Sequence, residues 1–127
     1  MGIGKPANFT KAVGMEYRSI ATDQITIDNT AGGVALTKIA ADTASIRSKV
    51  AYAVIYNTTA QIRFFANGDA STAIGGYAGT APTSTKGNIM EIGDEIEVWS
   101  IADLINFRAI RTGAVSGILE VEYFGTK

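Results

Sequence analysis

At 127 residues and a net charge of −1, the chain has the size of one domain, large enough to bury roughly two-thirds of its unfolded surface without covalent staples. It contains no cysteine and no histidine, which excludes disulfides, thiolate nucleophiles and Ser-His-Asp or Cys-His devices, and restricts any metal site to oxygen ligands. The near-neutral balance gives no electrostatic case for nucleic acid, and no run approaches the roughly 18 apolar residues of a membrane span.

Residues 1–15 mix Gly, Lys, Pro and Asn with single apolar residues and hold no period, so they read as an arm that either frays or becomes ordered on a neighbouring subunit. They also lack the apolar run of a signal peptide, and a soluble product made in a cytoplasm is expected. Residues 16–127 form the domain. Alternation over 17–20 and again over 24–28 predicts two strands, and the run Asp28-Asn29-Thr30-Ala31-Gly32-Gly33 is a turn by composition. A short strand over 33–37 follows. Residues 38–49 have a loose helical spacing that allows one helical turn, and are read as a polar crossover.

The nearly continuous apolar run 50–56 predicts a central strand covered on both faces. Asn57-Thr58-Thr59-Ala60 is read as a turn leading into a strand over 61–65, giving a long hairpin closed by Asn67-Gly68-Asp69. Residues 70–87 are a Gly/Thr/Ser/Ala-rich loop, of a length that is uncommon unless functional or disordered. Three strands follow, over 95–99, 106–111 and 119–123, separated by Gly93-Asp94, by residues 101–104 and by Thr112-Gly113. In the last of them Leu119, Val121 and Tyr123 face inward while Glu120 and Glu122 face out. Eight or nine short strands without βα alternation predict an all-β jelly-roll or Greek-key sandwich, with an up-and-down barrel as the alternative.

Little in this pattern carries chemistry. Gly75-Gly76-Tyr77-Ala78-Gly79 lacks the lysine and helix of a phosphate loop, and Asn67 with Asp69 offers too few oxygens for calcium, so both read as turns. Asp94 with Glu97 or Asp103 is the pair a glycosidase would need, yet carboxylates on exposed strand faces are ordinary and Asp94 has a role in its turn. Trp99, Tyr77 and Tyr52 are read as packing residues before sugar-stacking ones. Arg108 and Arg111, three apart, point to opposite faces of a strand, and Arg108 is expected to pair with a carboxylate of the 94–97 strand. No catalytic residue, cofactor or metal is expected.

Charge is unevenly distributed. Residues 1–63 carry seven Lys or Arg against four Asp or Glu, and residues 64–127 four against eight. Glu91, Asp94, Glu95, Glu97 and Asp103 form an acidic run with no basic residue between them, either a solvated face or one of two opposite-signed patches that meet between copies or on a partner surface. The candidate interaction residues are therefore Lys5, Phe9 and Lys11 in the arm, Tyr77 in the long loop, and Glu91, Glu95 and Glu97.

The run Gln61-Ile62-Arg63-Phe64, then Asn67-Gly68-Asp69, Ala81-Pro82-Thr83, Gly87, Gly93-Asp94-Glu95-Ile96 and Phe107-Arg108-Ala109-Ile110-Arg111, resembles small structural proteins of tailed bacteriophages. The likeness covers about residues 50–124 and consists of strand and turn positions. Asp69 follows Gly68 here where that pattern has Asp before Gly, and the segment 71–81 is longer than in the pattern. The resemblance implies a virion protein of the capsid decoration, or cement, kind. It would be a jelly roll that binds the major capsid protein at capsomer junctions on the virion surface, as a homotrimer or else a dimer. A tail or baseplate adaptor and a glycan-binding β-module are the alternatives.

Overall fold

The computed structural model describes residues 16–126, so Lys5, Phe9 and Lys11 lie outside the described residues. Among these residues nine strands run in chain order: β1 (Tyr17–Ile27), β2 (Val50–Asn57), β3 (Ile62–Phe65), β4 (Ala73–Ile74), β5 (Tyr77–Ala78), β6 (Asn88–Met90), β7 (Glu95–Val98), β8 (Arg108–Arg111) and β9 (Gly117–Thr126). Two short helices, α1 (Thr37–Ala40) and α2 (Ile101–Asn106), and a 3-10 segment (Thr43–Ser48) complete the set.

The strands form a four-stranded sheet in the order β1-β9-β2-β7, a three-stranded sheet in the order β6-β3-β8, and the small ribbon β4-β5. All pairings are antiparallel. Val34 bridges Ala109 and so extends the second sheet past β8 by one residue. The pairs are nested: β1 with β9, Val34 with β8, β2 with β7, β3 with β6. Such nesting of first with last is what results when one long antiparallel hairpin is rolled over itself, and it gives the jelly-roll form of the expected all-β sandwich. The β4-β5 ribbon is an insertion in the β3–β6 connection.

Between the sheets lies a core built by strand alternation. Ile25 and Ile27 of β1, Ala53 and Ile55 of β2, and Leu119, Val121 and Tyr123 of β9 point inward from the first sheet. Ile62, Met90 and Ala109 meet them from the second, with Leu36, Ile39, Leu104 and Phe107 filling the ends. Each fully buried aliphatic side chain contributes about 1.5–3 kcal/mol. The inward and outward assignments on β9 hold residue by residue: Leu119, Val121 and Tyr123 are buried while Glu120 and Glu122 are exposed.

Several local expectations change. The hairpin of 50–56 with 61–65 does not form, because β2 pairs with β7 and β9 while β3 pairs with β6 and β8. The residues between them cross from one sheet to the other. Asn57, fully buried, pins that crossing: its side-chain amide donates to the Ala60 carbonyl at 2.8 Å and the Met90 carbonyl at 3.0 Å. The segments expected over 17–20 and 24–28 merge into one strand, β1, which ends at Ile27 and has an irregularity between Ser19 and Ala21 that absorbs the break in alternation. The strand expected over 33–37 shrinks to the Val34 bridge.

The supposed polar crossover 38–49 holds α1 and the 3-10 segment, and both anchor inward, through Ile39 and Ile46. The break at 101–104 is a helix, α2, whose first turn is capped by the Ser100 hydroxyl accepting from the Asp103 N–H at 3.3 Å. It delivers Leu104 to the core, with Phe107 directly after it. Residues 70–87 contain the β4-β5 ribbon, turned by Gly75 and Gly76 at φ +60° and +85°.

Candidate functional site

Strand alternation that fills the core from one face of the four-stranded sheet must present the other residues on its opposite face. The register lines these up in rows. One row reads Gln24, Glu120, Tyr56, Glu95, and the next Thr22, Glu122, Val54, Glu97. A third pairs Phe124 with Tyr52, beside Trp99. These rows hold four glutamates and no lysine or arginine. Over the first two lies a shallow open groove of about 360 Å³, lined by Thr22, Val54, Tyr56, Glu95, Glu120 and Glu122.

The third row is an aromatic pole. Tyr52 stacks on Trp99 with ring centroids 4.0 Å apart and planes 12° apart, and on Phe124 at 4.9 Å and 7°. Tyr17, at the start of β1, sets its ring edge against both Tyr52 and Trp99 at 5.6 Å. Tyr52 is thereby 2% exposed on the outer face of a sheet, while Trp99 at 42% keeps part of its ring in solvent. The Trp99 indole N–H donates to Glu97 Oε1 at 3.2 Å. The other Glu97 oxygen is buried without a partner among the described residues. Burial, then the nearby Glu97 charge, pushes the Tyr52 phenol above its ordinary pKa.

Of the candidate interaction residues, the structure brings Glu95 and Glu97 onto this face. Glu91 and Asp94 serve a turn instead: Glu91 N–H donates to an Asp94 carboxylate oxygen at 2.7 Å, Asp94 N–H returns to the Glu91 carbonyl, and Gly93 between them takes φ +90°. Glu91 also accepts from Gln61 at 3.0 Å. The carboxylates of Asp94 and Glu97 are thus engaged locally, by Glu91 N–H and by Trp99, while Asp103 sits in the first turn of α2. Tyr77 is 78% exposed on the β4-β5 ribbon, where its ring stacks on no other aromatic among the described residues. No group of three acidic residues suited to a metal ion occurs among the described residues.

Arg108 does not pair with the 94–97 strand. That strand lies in the first sheet, whereas β8 belongs to the second. Arg108 is paired there with Asp69 at 3.1 Å, and its guanidinium also donates to the carbonyls of Ile105 and Phe107. Asp69 accepts from the Ser71 hydroxyl and N–H and from the Thr72 hydroxyl as well, and these bonds, led by that of the Ser71 hydroxyl, hold its carboxyl below the usual range. Arg111 reaches the Ser116 hydroxyl at 3.4 Å.

Glu120 and Glu122 were legible as outward residues of β9, but their company with Glu95 and Glu97 was not. The two pairs are more than twenty residues apart in the chain and meet only because β2 lies between β9 and β7. Tyr17 and Phe124 are joined to Tyr52 and Trp99 in the same way. The comparisons with known proteins add no relative: no family model, no curated protein and no solved structure matches the chain.

Proposed function

We propose that this chain is a non-enzymatic virion structural protein of the capsid decoration kind, which binds the major capsid protein on the outer shell and reinforces capsomer junctions. It associates with itself, as a homotrimer in first preference and a dimer in second. The observation that carries this reading is the outer face of the four-stranded sheet. Aromatic and carboxylate side chains from four strands are set there on a rigid jelly roll, with no element of the described residues layered over them. A surface of this kind suits docking: aromatic residues supply contact area, and a single sign of charge fixes orientation and excludes wrong partners. The phage-like pattern over residues 50–124 supplies the capsid as the partner.

Co-sedimentation of the purified chain with phage capsids tests this. Stoichiometric pelleting with the capsids is expected, and a chain that stays in the supernatant at every capsid concentration overturns the decoration reading. One observation favours a second reading, a glycan-binding module. Trp99 is partly exposed and lies flat on Tyr52, so its free edge and face could receive a sugar ring. Saturable quenching of Trp99 fluorescence by host-surface glycans, without capsid binding, would select it.

A further inference from the structure

The same face points to its own occupant. It carries Glu95, Glu97, Glu120 and Glu122 with no basic residue in the two rows that line the groove, and among the described residues the only ion pair, Arg108 with Asp69, lies in the other sheet. Outside the described residues stands a segment of opposite character. Residues 1–15 contain Lys5 and Lys11, no acidic residue, and the apolar side chains Ile3, Phe9, Val13 and Met15. The face offers to such a segment both halves of its composition: carboxylates in two rows, and an aromatic pole with exposed Trp99 beside them.

We propose that residues 1–15 of one copy lie on the outer face of the four-stranded sheet of a second copy, with Lys5 and Lys11 against the glutamate rows and Phe9 toward the Trp99 pole. Self-association is part of the function proposed above, and this contact rests on that reading. The entry of β1 favours a second copy over the chain's own face. The segment joins through Glu16 to Tyr17, whose ring packs edge-on with Tyr52 and Trp99 at the pole and takes no part in lining the groove. β1 starts at Tyr17 and runs toward Thr22, which lines the groove, so the groove lies on the far side of the point where residues 1–15 join the strand. A segment donated head to tail makes a heterologous contact, which closes into a ring when the rotation between copies permits.

Light scattering on the full-length chain tests the contact through charge exchange. The oligomer of the wild-type chain should lose mass as salt rises, since exposed charges separated by solvent are screened. The variant K5E/K11E and the variant E120K/E122K should each associate at least tenfold more weakly, with unchanged circular dichroism. Mixing the two variants should restore association, because the acidic segment of one then meets the basic face of the other.

The first variant changes residues outside the described strands, and its result is read independently of the second. A wild-type chain that is monomeric at every concentration overturns the inference, as does an oligomer indifferent to both variants. A loss that mixing does not restore overturns it too. Capsid co-sedimentation is read separately: a wild-type oligomer that responds to charge exchange yet ignores capsids sinks the decoration reading and leaves this contact standing.

Discussion

The two faces of the four-stranded sheet use the same strands and reach the same burial by different means. On the inner face Ile55, Leu119 and Tyr123 are fully buried because the second sheet and the helices lie over them. On the outer face Tyr52 is 2% exposed although no second layer among the described residues covers it; its cover is Trp99 on one side and Phe124 on the other. Inner burial is held by the whole fold, and outer burial by two or three neighbouring side chains. The first should resist local change and collapse only with the domain. The second can be opened one residue at a time.

Leu119→Ala breaks the inner face most directly. A fully buried leucine surrounded by two sheets leaves a cavity that the strands cannot close, and a loss of about 2–5 kcal/mol in denaturant unfolding is expected. Overfilling the same face should cost somewhat less. At Gly125, a buried position of β9, an added Cβ would press into the Lys49 carbonyl oxygen of the chain that enters β2. Gly125→Ala is therefore expected to cost about 1–3 kcal/mol, read as a lower denaturation midpoint with an unchanged slope.

Trp99→Ala addresses the outer face and sharpens the contrast. Losing the stacked ring should cost about 1 kcal/mol for the aromatic contact, in addition to the apolar area it covers. It should also expose the Tyr52 ring and bring its phenol pKa down toward the ordinary tyrosine value, followed by tyrosinate absorbance. The sign can be checked in the wild-type chain. A phenol whose pKa is raised on folding favours the folded state below the unfolded-state pKa, about 10, and that contribution is lost as pH rises through the folded value. Wild-type stability should thus fall in alkali, and Trp99→Ala should soften the fall. If Tyr52 titrates unchanged in the variant, Trp99 is not its cover and the contrast between the faces fails.

The smallest expected effect lies on neither face, in the loop tied to β8 by the Asp69–Arg108 pair. The Asp69 carboxyl is held low chiefly by the Ser71 hydroxyl and by Arg108 only as a lesser cause. A carboxylate with a depressed folded pKa stabilises above its unfolded value, about 3.9, and loses that contribution as pH falls through the folded value. Asp69→Asn should flatten the acid limb of the Tm against pH profile while leaving the inner and outer faces unchanged by circular dichroism.

Sequence legibility followed the range of the forces involved. The alternation of β9 was read correctly at Leu119 through Tyr123, because which side a residue points to is fixed by the pleat of one strand. The turn role of Asp94 was legible for the same local reason. The hairpin expected across residues 57–60 failed because Asn57 looks like a turn former in sequence, yet in the fold it is buried and its amide ties two sheets together. The partner of Arg108 failed likewise: strand 94–97 is near in sequence but lies in the opposite layer, and Asp69, thirty-nine residues away, is the near neighbour in space.

By itself, then, the sequence determined the all-β class, the inward and outward sides of its regular strands, and the want of any thiol or imidazole chemistry, since each depends on residue type and a period of two. The tertiary structure decided the rest: the nested pairing that makes a jelly roll, and with it the meeting of Glu95 and Glu97 with Glu120 and Glu122, and of Tyr17 with Tyr52, Trp99 and Phe124. The physical reason is that alternation chooses a face within a strand, whereas neighbours across a face are chosen by strand order, which is set by the burial of the whole core at once.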